Sequence, residues 1–239
     1  MRSLVAFAAA SFLIAACLPA IAENGPSFSC AKAKTPDEIT ICANPTLSAL
    51  DLTINHGYQR MITTLGRKTT NSIHPRFLRL RHNCKTDADC IANVGALEIP
   101  IFQLADPSFQ PPQNTSATKE LDYDVLKKQF KIGECTLSKV VLLGPRLCSA
   151  DANGNCPDNL PFDDSGDTIN AANGLTAVEY ERVPAIEKSK LADTVLLCLK
   201  SIPAHCPKDE DRGYFWTWKN LHTSGTWSSP DSEHLCGGA

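Results

Sequence analysis

Hydrophobic positions fall into two rhythms along this chain. Leu47, Leu50, Ile54, Tyr58, Met61 and Leu65 recur at steps of 3, 4, 4, 3 and 4, one apolar stripe of helical period. After a break over 66–74, Phe77, Leu80 and Cys84 repeat the step. The run Cys84-Lys85-Thr86-Asp87-Ala88-Asp89-Cys90 interrupts it, and Ile91, Val94, Leu97 and Ile101 resume it. A start signal stands ahead of the stripe: Thr35 can cap, Pro36 suits the first helical position, and Glu38 lies three past the cap. Asn44-Pro45 ends that short helix and opens the next. The pattern predicts two long antiparallel helices, with Pro100 bringing the second to an early end.

The second rhythm reads as strands. Residues 136–143, 175–183, 193–202 and 213–221 are rich in β-branched and aromatic side chains. Asn173-Gly174, the stretch from Pro207 to Gly213, and Ser224-Gly225 supply turns between them. Between the two halves, "ADPSFQPPQNTSATKELD" over 105–122 has no apolar period and reads as a linker. The expected fold class is α+β. A disulfide-stapled antiparallel helical hairpin domain over 27–104 is followed, after the linker, by a small all-β sandwich or barrel domain over 123–239.

The first residues change the picture of where the chain lives. Arg2, an apolar run from Leu4 to about Leu18, and Ala20-Ile21-Ala22 read as a secretory signal peptide over 1–22, cut before Glu23. Ile14-Ala15-Ala16-Cys17 also resembles a lipobox, so a lipid anchor at Cys17 is the alternative to a soluble periplasmic or secreted protein. No later segment reads as long and apolar enough to span a membrane.

Of the 11 cysteines, all but Cys17 lie beyond the leader: Cys30, Cys42, Cys84, Cys90, Cys135, Cys148, Cys156, Cys198, Cys206 and Cys236. An even number in an exported chain reads as disulfides. No C-x-x-C is present, so a zinc knuckle or a thioredoxin-type pair lacks its usual spacing. Antiparallel helices would bring Cys30 and Cys42 beside Cys84 and Cys90, giving 30–84 and 42–90 as the preferred bridges. In the second half 148–156, 198–206 and 135–236 are the simplest pairing.

Charge and motifs narrow the chemistry. Beyond the leader the chain carries 22 basic and 26 acidic side chains, a net charge of −4, which argues against a nucleic-acid binder. Residues 23–118 carry 9 basic and 8 acidic groups, and the acidity sits in the second half. "DANGNCPDN" from Asp151 has alternating oxygen ligands. Cys156 and Phe162 stand where an EF-hand needs glycine and glutamate, so a polar disulfide-closed turn is preferred to a calcium loop. The six histidines show no H-x-x-x-H, and there is no G-x-S-x-G. No catalytic residue, metal or cofactor is assigned. Asp209-Glu210-Asp211 reads as a solvated charge run. Alternation puts Tyr214, Trp216 and Trp218 on one face, read as sheet core ahead of a stacking platform.

The helical half resembles the LprI-like lysozyme inhibitor family. The resemblance rests on Phe28, Cys30, Thr35, Pro36, Glu38, Ile41, Cys42, Pro45, Leu50 and Asp51, and then on Phe77, Leu78, Arg81, Cys84 and Cys90. It covers about residues 27–103. The family usually has tryptophan where Phe77 stands, and glutamine-arginine just before it, where this chain has His74 and Pro75. The closing stretch from Asp211 resembles a region that recurs behind this domain in exported bacterial proteins. What the resemblance implies is a helical module of the bacterial envelope that binds a protein partner, with lysozyme inhibition as the named activity. Occlusion of a basic enzyme by an acidic surface would be the means. Arg81, Asp87 and Asp89, at the end of the hairpin, are the expected partner-binding residues, although an N-cap and solvated loop charges are the plainer reading. The alternatives are a periplasmic structural or adaptor module and an envelope hydrolase in the β half.

Overall fold

Local signals start the first two α-helices where the sequence places them. In the computed structural model, which describes residues 25–112, 127–148 and 160–238, a single 3-10 turn at Cys30–Lys32 leads into α1 (Pro36–Ala43). The Glu38 carboxylate reaches back to accept from the backbone N–H groups of Lys34 and Thr35. Asn44 accepts from the N–H groups of Thr46 and Leu47 and so caps α2 (Pro45–Leu65). Each cap satisfies donors that have no partner inside the helix.

The expected break over 66–74 is a single residue. Gly66, at φ 82°, turns the chain directly from α2 into α3 (Arg67–Asn83), a left-handed position that favours glycine. Pro75 lies inside α3, and Pro100 lies inside α4 (Ala88–Ala105). Neither proline ends its helix, contrary to the expectation for Pro100. Buried neighbours hold both in place: Ile73, Arg76 and Phe77 around Pro75, and Ile99, Ile101 and Phe102 around Pro100. Their packing offsets the lost hydrogen bond. The helical half is therefore a layer of four helices, where the stripe had suggested a two-helix hairpin.

The second half is one curled antiparallel sheet. Its strands are β1 (Cys135–Pro145), β2 (Asp167–Ala171), β3 (Thr176–Glu179), β4 (Thr194–Ser201), β5 (Phe215–Asn220) and β6 (Thr226–Pro230), in the order β3-β2-β1-β4-β5-β6. Curling brings the edge strands β3 and β6 together, and the short helix α5 (Pro184–Glu187) packs on the concave side through buried Ile186. Inside the curl lie Trp216, Trp218, Trp227, Leu197, Val140 and Ile169. The indoles of Trp218 and Trp227 stack at 5.4 Å. Tyr214, Trp216 and Trp218 all face this core.

β4 shows why the two halves share a core. Val195, Leu197 and Leu199 alternate into the curl, while Leu196 and Cys198 pack on the other face with Met61, Ile73, Phe77 and Phe102 of the helices. α4 is apolar nearly all round, and such a helix must be buried on more than one side. One side meets α2, where Gly57 and Gly95 allow close approach to Phe102 and Leu50 respectively, and another meets β1. By length and composition alone α4 is long and apolar enough to cross a membrane, which corrects the expectation that no such segment follows the leader. Eight of its 18 residues are buried within the protein.

The disulfides of the helical layer are local, at sequence separations of 12 and 6. Cys30 joins Cys42 and Cys84 joins Cys90, in place of the expected 30–84 and 42–90. The helix ends do meet, since Ile41, Leu47, Cys84 and Ile91 form one cluster with Cys90 beside it. Within that cluster each thiol finds the partner across its own short turn, at Cα separations of 5.7 and 5.5 Å. In the second half Cys135 joins Cys198 within the sheet and Cys206 joins Cys236 outside it, in place of 198–206 and 135–236. β1 and β4 pair in a register that sets Cys135 directly opposite Cys198. Cys148 is also disulfide-bonded; Cys156, its expected partner, lies outside the described residues. Several disulfides fit an oxidising, non-cytoplasmic compartment.

Candidate functional site

The turn between α3 and α4 carries the residues expected to meet a partner. It is closed by Cys84–Cys90 and by a hydrogen bond from the Asp87 N–H to the Cys84 carbonyl. Asp87 is the N-cap of α4 and accepts from the Cys90 N–H at 3.0 Å. Asp89 is exposed in the first turn of that helix. Arg81 is committed inward: it donates to Asp37 at 2.9 Å and to Asp51 at 3.1 Å. Asp51 also accepts from the backbone and side chain of Ser27, and Asp37 lies 3.2 Å from the His82 ring. Burial alone would raise the Asp37 carboxyl. Hydrogen bonds from Thr35, Arg81 and His82, with the Arg81 charge, outweigh it and hold the group below its usual range.

A second feature lies between the layers. A cleft of about 560 Å³ opens between α3 and α4 on one side and β1 on the other. Its walls are mainly apolar, from Leu80, Leu97, Pro100, Ile101, Leu104 and Leu137. Arg76 is also on its wall, although only 2% of that residue is exposed. The guanidinium carbon sits 3.9 Å from the ring centre of Phe130 and 4.5 Å from that of Phe77. Nε and Nη1 have no hydrogen-bond acceptor. Burial lowers the Arg76 pKa to about 10, against the pull of Glu134 and Glu98, so the group is still charged at neutral pH.

Both of those carboxylates are engaged elsewhere. Glu134 takes a two-pronged ion pair from Arg79, which also donates to the Gln129 carbonyl at 2.7 Å. Glu98, 2% exposed, lies 2.6 Å from His74 Nδ1, and burial pushes its carboxyl up. Sequence reasoning passed over Arg76. The signal was its place at the edge of the stripe formed by Ile73, Phe77 and Leu80, where a surface cation would not be expected.

A pair of acids occupies the sheet. Asp167 and Glu179 stand directly opposite one another on β2 and β3. Burial pushes both carboxyls up, and the Asp167 charge adds to the shift at Glu179. Asp167 is fully buried and accepts from the Val183 N–H; neither acid lines the cleft. Two acids of the charge run, Glu210 and Asp211, are paired. Asp211 meets Lys127 and Lys128, and Glu210 meets Arg212. Among the described residues no group of three or more His, Cys, Asp or Glu side chains is placed to hold a metal ion. The loop from Asp151 lies outside the described residues. Compared with family models, curated proteins and solved structures, the chain matches none.

Proposed function

We propose that this chain is an exported protein of the bacterial envelope that acts by binding a protein partner, with a lysozyme as the partner to test first. The observation that carries this reading is that the residues behind the LprI-like resemblance interlock. Asp51 and Arg81 form an ion pair, Ile41 and Cys84 share a cluster with Phe28, and the Cys30–Cys42 and Cys84–Cys90 bridges fix its two edges. A motif scattered by chance would not be expected to close on itself in this way. On this reading the rigid turn carrying Asp87 and Asp89, backed by Arg81, is the occluding surface, and its acidic groups steer toward a basic enzyme.

Purified mature protein in large molar excess should slow lysozyme-driven lysis of cell walls. The effect should weaken with added salt and with Asp89→Lys. Undiminished lysis would remove inhibition. A structural or adaptor role in the periplasm is the second reading. It is favoured by the inward commitment of Arg81 and the capping role of Asp87, which leave little free chemistry at the turn.

A further inference from the structure

We propose that the cleft between α3, α4 and β1 is a binding site for a small amphipathic carboxylate, whose anionic head sits on Arg76 and whose apolar body lies along Leu97, Pro100, Ile101 and Leu104. The site goes beyond the partner-binding reading and does not depend on it.

The first support is an unanswered charge. A buried guanidinium with donors facing no acceptor is costly, and buried charges in proteins are normally paired. Arg76 has the faces of Phe77 and Phe130 for partial compensation. Those rings contact the face of the guanidinium and leave its in-plane donors unused. Glu134 belongs to Arg79 and Glu98 to His74. The missing element is an acceptor in the guanidinium plane, and a carboxylate supplies one through a charge-assisted hydrogen bond.

The second support is the shape and lining of the space. A cavity of about 560 Å³ is in the range for a small-molecule site, with apolar walls and few polar groups. Thr136, Ser138 and the exposed Lys139 are the polar side chains of β1 on its wall, and the two hydroxyls have partners within the protein: Ser138 accepts from the Asn173 N–H, and Thr136 donates weakly to the Leu137 carbonyl. The wall therefore offers one buried cation, Arg76, set against hydrocarbon, with the exposed Lys139 as the other. A phosphate dianion would call for more donors than this. A fatty or aromatic monocarboxylate matches both parts.

The test uses the full mature protein, freed of lipid, titrated calorimetrically with dodecanoate and with dodecanol below their aggregation limits. The expected result is one equivalent of dodecanoate bound about 10–100-fold more tightly than dodecanol, the range for a charge-assisted hydrogen-bonded pair. Arg76→Met should erase that preference and leave dodecanol binding unchanged, and Leu97→Trp should abolish both by filling the cleft. Equal affinity of the unaltered protein for acid and alcohol would overturn the proposal, and that comparison needs no variant to fold. So would retention of the preference in Arg76→Met, or displacement of dodecanoate by inorganic phosphate, which would mark a site for free anions.

Discussion

Arg81, in the last turn of α3, donates to Asp37, in the first turn of α1, at 2.9 Å, and so ties together two helices separated by all of α2. Asp37 is only 2% exposed, so losing the cation would strand a buried carboxylate. Arg81→Met should cost roughly 2–3 kcal/mol, a fall in melting temperature of about 5–10 °C by calorimetry.

The same carboxylate predicts an acid limb. Its folded value lies below its usual 3.8, so as pH falls the unfolded state takes up the proton first. The stabilisation is complete above that usual value and is lost as pH drops through the folded one. In Arg81→Met burial dominates and raises the folded value, so this acid limb should disappear or reverse, with stability rising as pH falls through that value. Melting temperatures measured between pH 7 and pH 2 would show it. Identical limbs in the two proteins would mean that Arg81 does not set the Asp37 titration.

Glu98 predicts the opposite slope. Burial raises its folded value above the usual 4.5, so the folded state holds the proton more tightly. Stability should therefore decline as pH rises from below 4.5 through the folded value. Glu98→Gln can keep a hydrogen bond to His74 without a buried charge. It should melt at or above the parent temperature at neutral pH and lose that slope; a marked fall in melting temperature would show that the ionised pair is needed.

Gly57→Ala tests how closely α2 and α4 approach. An added Cβ would lie 2.2 Å from the Phe102 ring, and that ring is only 1% exposed and meets Phe109 edge-on. Overpacking of about 1–3 kcal/mol should exceed the gain in helix propensity of up to about 1 kcal/mol. Gly144→Ala, with no atom within 4 Å of the added carbon, serves as a control of near-neutral effect in the same denaturant titration.

The helices were legible because their signals are local. The caps at Thr35, Asn44 and Asp87 and the stripe through Met61, which is fully buried, need only neighbours in sequence. Pro100 misled because packing from distant elements outweighed a local rule. β2 and β6, "DTINA" and "TWSSP", escaped notice because their polar residues fit a strand only once partners on either side are known. The pairing of Cys135 with Cys198, across 63 residues, follows from a sheet register that composition does not encode. The burial of Arg76 under Phe130 was hidden for the same reason, although its place at the edge of the stripe was a signal. Phe130, which covers its face, arrives from beyond the linker.

The bridges should differ in weight. By loop-closure entropy, removing Cys135–Cys198 costs about 4 kcal/mol and removing Cys84–Cys90, six residues apart, about 2 kcal/mol. Paired alanine substitutions followed by thermal unfolding would rank them; a larger loss at the short bridge would show that native geometry there outweighs chain entropy.

The most direct test of a framework of staples that each stay within one half of the chain is a peptide map of unreduced protein recovered from the envelope fraction. It should contain peptides joined as 30–42, 84–90, 135–198 and 206–236. Peptides joined as 30–84 and 42–90, or any bridge between a helical-layer cysteine and one of the sheet, would contradict the account.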